Sequence, residues 1–417
     1  VPRPAGPEAR GGGRAGPGET VLGRGRAGYP NRAPRSKGRA GIIAPRPGPF
    51  EGPGRAAMAA RLALILLLLV APPGARAASP PETATPADAV PSHAVVFMYH
   101  RFGEGDYPTT NVRPEQFQAH LDHLSRAGYR VWPLERIVAE RAAGRPLPDR
   151  VVAITVDDAY RSVYTEAFPR LKARGWPFTV FVATDAVDAG SPGLLTWDEM
   201  RRMAKDGATF ANHSATHDHL IHRRSGEDRA AWAARVRADL ARARGRLEAE
   251  LGRAPDLFAY PYGEYDPDLA ALVRGMGYTP FGQQSGAVGP HSDPAALPRF
   301  PMAEAYAGLD DFRLKAASLP LPVTAAAPES PVLADANPPR LELTVEPADL
   351  RPDALACYAS AGGPAVVTWL DRAAGRLAVT ASGPLPAGRS RYNCTAPSRA
   401  APRRYYWYSH LWIRPPG

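Results

Sequence analysis

Short unbroken apolar runs alternate with segments of helical periodicity along the middle of this chain. The runs AVVFMY (94–99), VVAITV (151–156) and PFTVFVA (177–183) carry no charge and predict strands, the β-branched VVAITV one covered on both faces, as in a parallel sheet. YRVWPL (129–134), ATFANH (208–213) and DLFAYPYG (256–263) predict further extended segments. Between them the spacing predicts helices over 116–127, 134–141, 197–206, 228–251 and 267–276. In the 228–251 segment Trp232, Val236, Leu240, Leu247 and Leu251 share one helical face. Strands and helices alternating at this pace predict an α/β fold with a mainly parallel sheet, closed into a barrel over residues 94–319.

The pattern changes near residue 320. A Pro- and Ala-rich stretch over 320–339 reads as a linker, and beyond it RLELTVEP, AVVTWLD, GRLAVTAS and YYWYSHLWI alternate in the strand period between turn residues. A small all-β, sandwich-like domain over 340–417 is expected, holding the only two cysteines, Cys357 and Cys394.

Charge alters the picture at the other end. The net charge of +10 suggests a polyanion partner until its distribution is read. Of 51 Lys and Arg and 41 Asp and Glu, 13 and 3 lie in residues 1–77, which leaves 38 of each in the remaining 340. The body is neutral, so no nucleic-acid partner is expected. Residues 1–57, rich in Gly, Pro, Ala and Arg, offer almost nothing to bury and read as a disordered or untranslated segment. From Met58 the order is that of a secretory signal peptide over 58–77: Arg61, an apolar core Leu62–Val70, then Ala75-Arg76-Ala77 as the cleavage site. That core is far short of the ~20 residues a stable membrane span needs. A Pro/Ala linker over 78–93 follows. Export to a periplasmic or extracellular location is therefore expected, and an oxidising compartment permits a Cys357–Cys394 disulfide.

Three stretches offer chemistry. Asp157 and Asp158 directly follow the run VVAITV, at the strand end where ligands of parallel sheets gather, although an Asp there can also cap the next helix. His213 and His217, in HSATH, stand four apart, and two His with one carboxylate make a common open zinc site; a His-rich surface turn is the plainer alternative. In AYPYG, Pro261 fixes the backbone between Tyr260 and Tyr262, a turn able to aim an N–H at an oxyanion while a ring stacks on a sugar, or simply to end a strand.

In this order and spacing, Asp-Asp, His-Ser-x-x-His and Tyr-Pro-Tyr-Gly resemble the polysaccharide deacetylases of carbohydrate esterase family 4, the NodB homology domain, over roughly residues 94–305. The resemblance implies a distorted (β/α)7-type barrel. It implies Zn²⁺ or another divalent metal held by Asp158, His213 and His217, with Asp157 as general base and Tyr260, Pro261 and Tyr262 at the substrate. Most family members have an Arg at the start of the third motif, where this chain has Ala259; Arg299, in LPRFPM, is the candidate to orient the base instead. The family's late Leu-x-His motif is also absent after residue 300. An early His100, in VVFMYHRF, is similar to the general acid of the circularly permuted branch that deacetylates poly-β-1,6-N-acetylglucosamine.

The expected activity is metal-dependent hydrolysis of N-acetyl groups from an N-acetylglucosamine-containing polysaccharide, with release of acetate. Two alternatives stand beside it. One is a peptidoglycan or chitin deacetylase. The other is a non-catalytic glycan-binding protein that uses Tyr405, Tyr406, Trp407, Tyr408 and Trp412 as a stacking surface.

Overall fold

The computed structural model describes residues 92–415 apart from 335, 347, 348 and 361. The upstream segment, the signal peptide and nearly all of the first linker expected above lie outside the described residues.

Seven strands form a parallel sheet: β1 (Ala94–Tyr99), β2 (Val151–Asp157), β3 (Phe178–Val182), β4 (Ala208–Asn212), β5 (Leu257–Ala259), β6 (Thr279–Phe281) and β7 (Phe300–Pro301). Their order is β7-β1-β2-β3-β4-β5-β6, so the last strand lies beside the first. A two-residue strand, Arg130–Val131, adds to the start of β2. The bridge Phe281↔Leu297 brings the β6 edge to the segment that continues into β7, while Phe300 pairs with Phe97 of β1. Residues 297–301 thus touch both edges and draw the sheet into a distorted barrel.

Every residue of β1, β2 and β3 is buried, as the charge-free runs require of strands covered on both faces. Alternation divides them. Val152, Ile154 and Val156 join an outer core beneath the helices, whereas Ala153 shares an inner cluster with Val96, Phe181, Ala211, Ala259 and Phe281. By the same period Thr155 and Asp157 belong to the inner face. The long helix Arg229–Leu251 starts on Asp228, whose side chain accepts from the Ala231 N–H, and stops at Gly252 in a left-handed conformation with φ 78°. Its buried stripe includes Trp232, Val236, Leu240 and Leu247.

The C-terminal strands are β8 (Leu319–Pro320), β9 (Val323–Ala327), β10 (Arg340–Val345), β11 (Ala356–Ala359), β12 (Gly363–Asp371), β13 (Arg376–Ala381), β14 (Gly388–Pro397) and β15 (Tyr405–Arg414). They make one sheet in the order β8-β15-β14-β11-β12-β13-β10-β9. β8 and β9 sit at opposite edges of that order yet are joined by Leu321 and Pro322 alone, so the sheet must curl until its edges meet. Pro320 of β8 and all of β9 come from the head of the stretch that reads as a linker. The curl encloses a core containing Leu341, Leu377, Tyr392 and Trp412. Cys357 of β11 and Cys394 of β14 stand directly opposite in register and form the disulfide.

β14 and β15 also present a face to the barrel. Leu411 and Ile413 pack into a cluster with Tyr260, Leu269 and Val273, and Trp407 meets Phe300 edge-on at 5.2 Å. The curled sheet is seated on the barrel by its own apolar side chains.

Candidate active site

Asp157 ends β2 on the inner face, fully buried. A buried carboxylate needs a charged partner, and Arg299 provides one bidentately: Nη1 donates to Oδ1 at 2.7 Å and Nη2 to Oδ2 at 2.8 Å. Arg299 is itself fully buried, anchored by Nε to the Gly282 carbonyl at 2.9 Å and by Nη1 to Thr155 Oγ1 at 3.2 Å. Burial pushes the Asp157 pKa up, but the charge and hydrogen bonds of Arg299, with His213 adding to them, more than reverse this and hold it below the usual carboxylate range. The base candidate is therefore ionised, with its plane fixed by the guanidinium fork.

Asp158 would point away from Asp157 if the strand continued. Instead the chain turns left-handed at Asp158 (φ 72°) and Ala159 (φ 54°). Among the described residues seven non-glycine positions have positive φ, and five of them are Asp158, Ala159, Ser214, His217 and Tyr262. Such conformations cost about 1–3 kcal/mol each and persist where surrounding contacts enforce them.

Those contacts are visible in the loop after β4. Asn212 accepts the Ser214 N–H at 2.8 Å, and Ser214 Oγ accepts the His217 N–H at 2.8 Å. Asp239, buried on the long helix, accepts the Ala215 N–H at 3.0 Å and the Thr216 N–H at 3.2 Å. The loop is thus closed with His213 and His217 side by side, ring centroids 4.9 Å apart.

Both imidazoles turn Nε2 toward Asp158 Oδ1, at 3.3 Å from His213 and 3.2 Å from His217. The backbone carbonyl of Ala259 can only accept, so His213 Nδ1, 2.8 Å away, carries the proton and leaves Nε2 a lone pair in the neutral ring. Asp158 Oδ1 is buried without a hydrogen-bond partner. Three donor atoms within 4.8 Å of one another, one a carboxylate oxygen without a hydrogen-bond partner, fit a divalent cation of the zinc type. The titration directions agree. Burial works against charge on both groups, yet Asp158 is held well below its ordinary value by His213 and His217, and His213 is raised by the two carboxylates. Positive charge is favoured at this point.

His100 follows β1 at the same end of the barrel. Burial lowers its pKa from the usual imidazole value, partly offset by the charges of Asp158 and then Asp157. Tyr262 sits half-buried in a left-handed turn (φ 60°), its ring 4.6 Å from His217 and stacked on His219 at 4.0 Å. Gly263 follows with φ +69°, where an added Cβ would lie 2.7 Å from the Gln283 side chain. Pro261 is buried and starts this turn.

Tyr260 requires a correction. It is fully buried, its hydroxyl donates to the Ala295 carbonyl at 2.9 Å, and its ring packs between Phe258 and Tyr265. A ring enclosed in the core cannot stack on a sugar. The aromatic β15 stretch is also largely interior, since Tyr406 and Trp412 belong to the core of the curled sheet.

Sequence reading passed over several neighbours. Asp239 announces itself only as an acid between Val236 and Leu240 on a buried helical stripe. Tyr160, three residues beyond Asp157, is pushed up to about 12 by burial and by the charge of Asp158, and Arg101 stacks over its ring at 3.4 Å. Arg389 of β14 donates to the Tyr262 carbonyl at 2.9 Å and lies 3.5 Å from Glu264, which also pairs with His219.

Comparison with known proteins adds an independent line. A family model described as polysaccharide deacetylase matches residues 144–281. A provisionally named polysaccharide deacetylase of Bacillus subtilis (strain 168) is 24% identical over 188 residues, 45% of this chain and 63% of that protein. The poly-β-1,6-N-acetyl-D-glucosamine N-deacetylase of Escherichia coli (strain K12) is 24% identical over 208 residues, 41% of this chain but 30% of its own length. The Staphylococcus aureus (strain MSSA476) protein of the same name is 25% identical over 212 residues, 49% of this chain and 71% of that protein. A solved Streptococcus pyogenes deacetylase in complex with acetate superposes with TM-score 0.48 at 20% identity, over 54% of this chain and 97% of its own. Residues 144–281 thus match a polysaccharide deacetylase domain, and the chain around them is similar, at 24–25% identity over less than half its length, to the poly-β-1,6-N-acetyl-D-glucosamine N-deacetylases.

Proposed function

We propose that this protein hydrolyses N-acetyl groups of an N-acetylglucosamine-containing polysaccharide, releasing acetate and leaving a free amine on the polymer. The observation that carries the reading is the meeting of Asp158, His213 and His217 beside a carboxylate, Asp157, that Arg299 keeps ionised. A divalent ion such as Zn²⁺ held by those three residues would supply Lewis acidity toward the acetamide carbonyl and lower the pKa of water.

The chain's own groups take the remaining tasks. Asp157 accepts the proton of the attacking water as its oxygen bonds to the acetamide carbon. The Tyr262 N–H, in its left-handed turn, is the donor proposed for the developing oxyanion. An amine anion is a very poor leaving group, so His100 in its protonated form gives a proton to nitrogen as the C–N bond breaks. Because burial lowers the His100 pKa, the acid form is lost as pH rises through a value below that of an exposed imidazole.

The polymer named for the relatives, poly-β-1,6-N-acetyl-D-glucosamine, is the first substrate to assay. Export to the periplasm or outside the cell belongs to the same proposal, supported by the Cys357–Cys394 disulfide. Among the described residues no helix is long and apolar enough to cross a membrane. Acetate release across defined β-1,6- and β-1,4-linked N-acetylglucosamine oligomers tests the reading. Release from at least one supports it, and none from any would overturn it.

A further inference from the structure

The C-terminal sheet reaches the barrel mouth through β14. Arg389 bonds to the Tyr262 carbonyl, and Tyr262 touches His217. Two residues on, about 7 Å along the strand and on the same face, is Arg391. Arg389 and Tyr306, the latter in the turn after β7, are both within its electrostatic reach.

The guanidiniums around this mouth differ in one respect. Arg299 is satisfied by Asp157, and Arg389 by Tyr262 and Glu264. The Arg391 guanidinium has no hydrogen bond or ion pair among the described residues, and its Nε is buried without a partner. Its backbone is fixed on both sides by Ser360: the Arg391 N–H donates to Ser360 Oγ and its carbonyl accepts the Ser360 N–H, both at 2.9 Å. Burial and then the charge of Arg389 lower its pKa to about 10, which still leaves a cation at neutral pH. A half-buried cation whose Nε is covered and has no acceptor carries a desolvation cost, and a planar guanidinium meets its strongest acceptor in an oxyanion. Tyr306, 61% exposed and within electrostatic reach of Arg391, offers an aromatic face to solvent.

Resting on the deacetylase reading above, we propose that β14 supplies a substrate subsite in which Arg391 binds an anionic group of the polysaccharide and Tyr306 stacks on the sugar that bears it. The substrate class narrows accordingly, to an N-acetylated polymer with carboxylate-bearing sugars near the acetamide to be cleaved. The same two arginines repel the ammonium that deacetylation creates, which favours release of the product strand.

The test compares two N-acetylglucosamine oligomers of equal length, one neutral and one with a carboxylate on the neighbouring sugar, by acetate release and by calorimetric binding. The wild-type protein is expected to show a KM about tenfold lower for the carboxylated oligomer, the size of one charge-assisted contact. Arg391→Ala should bring the two KM values together. Arg391→Lys, which keeps the charge, should retain part of the preference. Equal KM values in the wild type, or a preference that survives Arg391→Ala, would overturn the subsite. If neither oligomer yields acetate, the deacetylase reading fails by itself and calorimetry still decides: the carboxylated oligomer must bind about tenfold more weakly to Arg391→Ala, and unchanged binding ends the proposal.

Discussion

At the barrel mouth, five left-handed non-glycine residues, a fully buried Arg–Asp pair and a buried carboxylate oxygen without a hydrogen-bond partner are crowded around three short loops. Inside the curled C-terminal sheet, the core is assembled from extended strands, apolar side chains and one disulfide; Arg403, its left-handed non-glycine residue, lies outside the core in the turn joining β14 to β15. The first region holds groups in conformations and charge states that isolated peptides avoid. The second stabilises itself by burial and cross-linking. The difference teaches how the proposed site is built: strain and uncompensated charge collect around the candidate metal and base residues, and they persist because neighbouring packing is strong enough to enforce them.

Breaking the mouth should abolish chemistry. Asp157→Asn keeps the shape but removes the proton acceptor, and kcat should fall by roughly 10²–10⁴-fold while metal content per chain stays at the wild-type level. Loss of metal in this variant would assign Asp157 to binding instead.

Removing the partner of Asp157 should cost stability as well. Arg299→Met leaves a buried carboxylate uncompensated, and denaturant melts should show a loss of about 3–5 kcal/mol at neutral pH. The sign with pH follows from the depressed Asp157 pKa. With the folded value below the unfolded one, the stabilisation is complete above roughly pH 4 and is lost as pH falls through the folded value. The gap between wild type and Arg299→Met should therefore narrow in acid; a constant gap would mean that Arg299 acts by packing alone.

The sheet should respond differently. Replacing Cys357 and Cys394 together by Ser opens a link of sequence separation 37 and should cost roughly 2–4 kcal/mol. Metal affinity at the mouth should stay within about twofold, since additivity holds for distant sites without shared partners. A matching loss of metal would mean that the two regions are coupled through β14.

Much of this was legible in the sequence, for physical reasons that can be named. Charge-free runs such as VVAITV have one comfortable environment, a strand covered on both faces, so the parallel sheet could be read directly. Asp157-Asp158 and His213-x3-His217 are local motifs, and local spacing is what a sequence displays. The third motif misled at Tyr260 because its ring points back into the core, and only the turn beyond Pro261 brings the next side chain, Tyr262, to the mouth. β8 and β9 were hidden because Pro320 and Pro322 read as linker residues, although Pro is tolerated at sheet edges, where both strands lie. Asp239, Arg389 and Arg391 had no local signal at all. Their roles depend on which loop the tertiary fold sets against them.

The central claim is that Asp158, His213 and His217 hold a divalent cation on which N-deacetylation depends. Its most direct test is metal content and acetate release on the same wild-type sample, before chelation, after it and after metal is restored, with His213→Ala alongside. The expected result is about one metal ion per chain, with acetate release lost and regained in step with it, and neither metal nor activity in the variant. Full acetate release from metal-free protein would contradict the account.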